Sequence, residues 1–167
     1  MKNLLIASVA CLFLLEFFSP SVVNGAGGDK SSALKKIDAL IENGGNNEGL
    51  RLIKHYAQNA EYNYDSIAEI ARLTSEFGYH TMALVQVAKI ASETNYECKY
   101  FAQIARLVLR HLTETSRVVD LAQQAKYAHT ESERRALEKA IIKVEQECEL
   151  KSLDEARQYQ EKQRHKK

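Results

Sequence analysis

The feature that most restricts the fold is the helical spacing of apolar residues along a chain that has no proline after Pro20. Apolar side chains recur at intervals of three and four residues, and no segment alternates as a half-buried strand does. Glycines mark the breaks, because Gly44, Gly45 and Gly78 stand where helix-ending residues are expected. The pattern predicts an all-α protein of about seven helices, arranged in tandem αα-hairpins that form one bundle or short stack.

Two of the predicted helices carry apolar residues round most of their circumference, so we expect them at the centre of the core. They run from about residue 79 to 93 and from about 97 to 112. An earlier helix is predicted from about residue 66 to 77. Asp65, directly before it, is the expected N-cap, since aspartate favours that position.

The last predicted helix has a sequence signature at its start. Thr130 and Glu133 have the spacing of a capping box, in which each residue binds the backbone N–H of the other. Steps of four, three and four residues then define one apolar seam, which we expect to be buried. The seam contains Leu137, Ile141, Val144 and Cys148.

A seven-residue similarity occurs inside the chain. Ile67–Leu73 and Phe101–Leu107 share five of seven residues at a separation of 34. A helix-turn-helix period of this length resembles tetratricopeptide stacking. The alternative is two ordinary αα-hairpins with similar lengths and small-residue faces, which the incomplete repeat consensus favours.

The N-terminus has the layout of a secretory signal peptide. Lys2 precedes an apolar run that ends at Leu15, too short to span a bilayer, and Glu16 and Pro20 then interrupt it. We expect cleavage after Gly25. A membrane anchor is the alternative, although no later stretch is apolar enough to cross a membrane, so the mature product is expected to be soluble and extracellular without membrane insertion.

The remaining chain divides into three predicted parts. Residues 26–30 form a short flexible N-terminus, residues 31–153 form one helical domain, and residues 154–167 form a polar, basic C-terminal tail that frays or projects. A mature chain of about 142 residues has the size of a single domain with a substantial core.

The cysteine count predicts one disulfide. Cys11 lies in the discarded signal, so the mature chain keeps only Cys98 and Cys148. In an oxidising compartment an isolated pair is most simply a disulfide. A bond that closes the loop between Cys98 and Cys148 would stabilise the fold by about 4 kcal/mol, because it lowers the entropy of the unfolded chain.

Motifs for chemistry are missing from the sequence. It contains no nucleophile elbow, zinc-protease, dinucleotide-binding or phosphate-binding signature. Its five histidines are scattered among different helices and the tail. With 23 basic and 22 acidic residues, the charge is too balanced to indicate a nucleic-acid partner. We therefore expect neither an enzyme nor a metal or cofactor site.

Tyrosine is the first candidate for a binding function, because it occurs eight times while tryptophan is absent. Tyrosine buries a large area with few rotatable bonds and keeps a polar end, which favours it at protein interfaces. The alternative is that these rings pack the corners between helices. The candidate protein-binding residues are Tyr62, Tyr64, Tyr96 and Tyr100.

The C-terminal tail is the second candidate, since its basic residues outnumber its acidic ones. A basic end can bind sulfated glycans or acidic protein surfaces. Such tails also serve simply to keep proteins soluble, and both interpretations stay open. The candidate polyanion-binding residues are Arg157, Lys162, Arg164, Lys166 and Lys167.

Export, a helical domain of this size, few cysteines and no enzyme motif together resemble the anophensin and albicin family, small salivary effectors of anopheline mosquitoes. The resemblance covers the mature chain in layout, helical character and export. It implies inhibition of a host plasma cascade by binding rather than by proteolysis. The targets it implies are the alternative complement convertase or the contact system of factor XII and kininogen.

The expected function is therefore a secreted salivary protein that binds and inhibits a host plasma protease cascade. An alternative of a different class is a secreted carrier, suggested by the two helices with apolar residues nearly all round. In that case the helices would part to enclose a small hydrophobic ligand or a lipid.

Overall fold

The computed structural model describes residues 29–44, 47–110 and 114–164 of the 167-residue chain. The predicted signal peptide, residues 1–25, lies outside the described residues. Within them the protein is all-helical, which confirms the predicted fold class, and a 3₁₀ turn at Gly78–His80 precedes the fourth helix. The helices are α1 Lys30–Glu42, α2 Asn47–Asn59, α3 Tyr64–Glu76, α4 Thr81–Ser92, α5 Tyr100–Leu107, α6 Thr115–Tyr127 and α7 Glu131–Arg164.

The helices form a short stack of hairpins. Helices α1 and α2, α3 and α4, and α5 and α6 are packed as three successive pairs. Each odd-numbered helix also packs against the next odd-numbered one, and each even-numbered helix against the next even-numbered one. The main contacts thus join helices one or two places apart along the chain, as in repeat proteins whose units contact only their neighbours.

The central position of α4 explains its apolar circumference. It packs against α2, α3, α5 and α6, so its side chains are covered on nearly every side. This confirms that α4 belongs to the centre of the core, although the regular α-helix begins at Thr81, after the 3₁₀ turn. Its buried residues are Ala83, Leu84, Val85, Val87, Ala88, Ile90 and Ala91.

The two similar segments occupy equivalent places in the stack. Each forms part of the first helix of a hairpin, α3 for Ile67–Leu73 and α5 for Phe101–Leu107. The first, fourth, fifth and seventh residues of both segments are buried. The third residues, Glu69 and Gln103, each reach the next odd-numbered helix, where they contact Arg106 and Glu145.

The predicted start of α3 is wrong, and α1 starts within the predicted N-terminal segment. Asp65 lies inside the first turn of α3, because Asn63 takes the cap position with a left-handed backbone at φ 62°. At the N-terminus, Asp29 accepts hydrogen bonds from the backbone N–H groups of Ser31 and Ser32, and α1 starts at Lys30. Asp29 and Lys30, the last two residues of the predicted segment 26–30, therefore belong to the start of α1.

The start and seam of α7 confirm the prediction. The Thr130 N–H donates to Glu133 Oε2 at 2.8 Å, and the Glu133 N–H donates to Thr130 Oγ1 at 3.2 Å. All four seam residues are buried. The helix then continues through the predicted boundary at residue 153 as far as Arg164, so the first part of the predicted tail is a regular extension of α7.

The predicted disulfide is not present in the structure. Cys98 is buried just before α5, and Cys148 is buried about midway along α7. Helix α7 packs more extensively against α6 than against α5. Burial raises the pKa of the Cys98 thiol, which favours its protonated form.

Gly49 permits the close approach of α2 and α4. A Cβ atom added there would overlap Thr81 Cγ2 and lie 3.1 Å from Thr74 Cγ2. In an exposed helix Gly→Ala stabilises by about 1 kcal/mol, but overpacking reverses the sign. We expect Gly49→Ala to lower the free energy of unfolding in urea by about 1–2 kcal/mol.

The Gly49 prediction has a matched control at Thr81, whose hydroxyl donates to the Gly78 carbonyl at 2.6 Å. Thr81→Ser removes the overlapping methyl group and keeps that hydroxyl. Combined with Gly49→Ala, it should recover at least half of the lost stability. A stabilising effect of Gly49→Ala alone would contradict the close approach.

Candidate functional site

The candidate site is a groove of about 1030 Å³ on the side of the stack formed by the odd-numbered helices. Helix α1 forms one wall, α3 and α5 form the floor, and the chain between α4 and α5 closes one end together with the start of α7. No described side chain of α2 or α4 lines the groove. The charged lining residues are Lys36, Asp65, Glu69, Arg72, Glu97, Lys99, Arg106 and Arg134.

An ion-pair network occupies the centre of the groove. Glu69 accepts from Arg72 Nε at 2.8 Å on its own helix and from Arg106 Nη2 at 2.9 Å on α5. Arg72 Nη1 also binds Glu76 at 2.6 Å. The two arginines hold the sixth position of the two similar segments, so one carboxylate joins equivalent residues of neighbouring hairpins.

The network determines the ionisation of Glu69. Burial alone would raise the pKa of its carboxyl, but hydrogen bonds from Arg72 and Arg106 outweigh burial and hold that pKa below its ordinary value of 4.5. A lowered pKa in the folded state stabilises the fold at neutral pH. This contribution is lost as the pH falls below about 4.5 through the folded-state pKa.

We expect Glu69→Gln to lower the free energy of unfolding by about 1 kcal/mol at pH 7, because the inter-helix bridge is partly exposed. At pH 3 the difference from the unsubstituted protein should shrink, because the Glu69 carboxyl of the unfolded chain is then protonated and less stability is gained from its lowered pKa in the folded state. Urea unfolding of both proteins at pH 7 and pH 3 measures this difference in the free energy of unfolding. Glu61→Gln, in an exposed loop, is the control and should show no such pH-dependent difference.

The other end of the groove carries two cations that lie over aromatic rings. Arg134 Cζ is 5.8 Å from the centroid of the Tyr96 ring, and Lys99 Nζ is 5.1 Å from that of Tyr100. Arg134 Nε donates to the Ala128 carbonyl at 3.2 Å, which holds the guanidinium in place. Within the part of the chain that the structure describes, neither cation belongs to an ion pair.

Tyr96 holds this end of the groove together. Its hydroxyl donates to the carbonyl of Ala125 and, at 3.3 Å, to that of Ala128, so it anchors the end of α6. The His129 ring lies 5.0 Å from the Tyr96 ring. Burial, more than any nearby charge, raises the pKa of the Tyr96 hydroxyl, which therefore stays a hydrogen-bond donor.

Asn63 fixes the loops beneath the groove. Its Nδ2 donates to the carbonyls of Ala91 at 3.1 Å and Tyr96 at 3.0 Å. Its Oδ1 accepts from the Cys98 backbone N–H at 2.7 Å. One buried side chain therefore connects the turn before α3 with the end of α4 and with the chain that leads into α5.

The four candidate tyrosines do not form one surface. Tyr96 and Tyr100 line the groove, whereas Tyr62 and Tyr64 do not. Tyr62 is exposed. Tyr64 packs a helix corner, and its hydroxyl donates to the Glu61 carbonyl at 2.7 Å.

The candidate polyanion-binding residues lie at the end of the chain. Arg157 and Lys162 are exposed on α7, and Arg164 ends that helix. Lys166 and Lys167 lie outside the described residues.

Sequence reasoning missed the groove cations. Arg106 belongs to the repeated segment, so the similarity itself was a signal for it. Arg134 lies four residues after Thr130, among other charged residues of α7. Its role depends on contact with Tyr96, which is 38 positions earlier in the sequence and comes close only because the hairpins stack.

Comparison of the chain with protein families, curated proteins and solved structures finds no match. Among the described residues, no helix is long and apolar enough to cross a membrane. The same residues contain no group of three or more histidine, cysteine, aspartate or glutamate side chains arranged to hold a metal ion.

Proposed function

We propose that the protein is a secreted binding protein whose groove takes an extended segment of a partner protein, and that it inhibits a host plasma protease cascade by occupying that partner. The observation that carries the groove proposal is the pair of cations over aromatic rings at one end, Arg134 on Tyr96 and Lys99 on Tyr100. Stacked repeats commonly bind partners along such extended surfaces.

The charges favour a partner segment with an acidic side chain. Arg72 and Arg106 in the centre are already engaged by carboxylates. Lys99 and Arg134 keep N–H donors for a ligand, and Glu97 is the carboxylate that lines the same end. A carboxylate from the partner would gain charge-assisted hydrogen bonds there, while an adjacent apolar group would pack against the tyrosine rings.

The resemblance to salivary effectors supplies the first partners to test. We propose the alternative complement convertase or the contact factors, bound rather than cleaved. The secreted chain should slow complement-dependent lysis or contact-activated clotting at submicromolar concentration. Absence of an effect in both assays would reject this target class.

Two variants test whether the partner binds in the groove, independently of which partner it is. Lys99→Glu combined with Arg134→Glu should weaken inhibition at least about tenfold, because both cations are reversed at the proposed contact. Arg51→Glu reverses an exposed charge on α2, and because Arg51 is not among the described residues that line the groove, inhibition should be unchanged. Equal inhibition by all three proteins would mean that the partner binds elsewhere.

A carrier function has less support from the structure. The apolar faces of α4 that suggested it are covered by α2, α3, α5 and α6. The groove walls carry eight charged residues, which is unfavourable for a lipid or a small hydrophobe. Native mass spectrometry of protein from its source tissue tests this alternative, since a carrier should retain its ligand.

Export to an oxidising compartment is part of the proposal, and so is a bond between Cys98 and Cys148 in the exported protein. The two buried thiols are unbonded in the structure, so formation of the bond requires that their sulfur atoms come within bonding distance. Alkylation in denaturant followed by mass measurement should find no reactive thiol in the exported protein. The mature chain, without residues 1–25, should show two thiols when made in a reducing cytosol, and two in the exported protein would contradict the bond.

A further inference from the structure

The outward face of α7 carries an apolar stripe that no described part of the chain covers. Ile142, Leu150 and Leu153 are 43%, 63% and 57% exposed. At about 100° per residue they fall within an arc of about 80°, on the side of the helix opposite the buried seam. A helix with two opposed apolar stripes is expected to have a partner on each side.

Helix α7 also extends beyond the rest of the fold. Its buried seam ends at Cys148, and every side chain from Glu149 to Tyr159 is exposed. The helix nevertheless continues to Arg164, about 24 Å past Cys148. The stripe therefore runs from the part of α7 that packs on the stack onto a part that does not, and it is open to an elongated partner along this length.

We propose that α7 pairs in antiparallel orientation with α7 of a second copy of this chain, with Ile142 of each copy opposite Leu153 of the other. The charge pattern selects this occupant and this orientation. In this register Glu138 lies opposite Arg157, and no two like charges lie opposite each other over the whole overlap, residues 131–164. A parallel pair in register would instead place every charge against its own copy.

The pairing has the expected character of a reversible dimer. Glu138 and Arg157 flank the apolar stripe, so each copy contributes a partner to two equivalent ion pairs. The apolar contact is limited to three large side chains from each copy. The dimer should therefore dissociate on dilution and weaken as the salt concentration rises.

Sedimentation equilibrium of the secreted chain, over roughly 1 to 500 µM, tests the proposal. We expect a monomer–dimer equilibrium whose dissociation constant rises at least about tenfold with Leu153→Glu. Tyr159→Glu is the matched control, because Tyr159 is 66% exposed on the same helix but about 130° from the middle of the stripe. It should change the dissociation constant less than about twofold.

A charge exchange tests orientation and register. Glu138→Arg and Arg157→Glu should each weaken the dimer, and the double variant should restore it to within about threefold of the original. Three results would overturn the proposal. The chain could stay monomeric throughout, the dimer could be insensitive to Leu153→Glu, or the stripe could bind a different protein while the chain is monomeric. Circular dichroism of each variant verifies that the helices are intact.

Discussion

Asn63→Ala is expected to lower the free energy of unfolding by about 3–5 kcal/mol, one of the largest effects of any single substitution in this chain. Asn63 is only 5% exposed, and its amide satisfies three backbone groups that belong to Ala91, Tyr96 and Cys98. Alanine would leave those groups without this partner. A buried polar group without a partner costs about 1–3 kcal/mol.

The backbone of Asn63 adds a second cost. Its φ of 62° lies in the left-handed region, which costs an ordinary residue about 1–2 kcal/mol. Asn63→Gly accepts that conformation but also loses the amide, so it should be less damaging than Asn63→Ala. The difference between the two variants isolates the backbone contribution from that of the hydrogen bonds.

Urea unfolding followed by far-ultraviolet circular dichroism measures both variants. Asn95→Ala is the matched control, since Asn95 also precedes a tyrosine but is exposed. It should change stability by less than about 0.5 kcal/mol. Similar losses for Asn63→Ala and Asn95→Ala would contradict the role assigned to Asn63 in joining the loops.

Phe101→Ala is expected to cost about 3–5 kcal/mol, because the ring is fully buried and truncation leaves a cavity. Phe101 lies in α5, which packs against α3, α4, α6 and α7. In a stack held by neighbouring contacts, the damage should be concentrated near the substitution. Hydrogen exchange should show the greatest loss of protection in α5, α6 and α7, and the smallest in α1 and α2.

The equivalent residue of the other segment provides the control. Ile67 is the first residue of the similar segment in α3, as Phe101 is of the segment in α5, and it is also fully buried. Phe101→Ile should therefore cost less than half as much as Phe101→Ala, since most of the volume is retained. A uniform loss of protection from α1 to α7 in Phe101→Ala would contradict the expectation that the damage stays local.

Local features of the fold were predictable because their partners are near in sequence. The capping box of Thr130 and Glu133 and the seam that ends at Cys148 depend only on helical geometry over a few turns. The wide apolar face of α4 likewise predicted its central place. The start of α3 was predicted wrongly, because the side chain of Asn63 binds groups that are distant in sequence.

By itself, then, the sequence determined that this protein is helical, how its helices are spaced and which faces they bury. Only the tertiary structure decided that the hairpins form a stack and not a bundle, that Glu69 bridges two arginines, and that Arg134 lies over Tyr96. It also decided that Cys98 and Cys148 are not joined in this structure. The physical reason is distance along the chain, because helix formation depends on neighbours within a few residues, whereas these contacts join residues that only packing brings together.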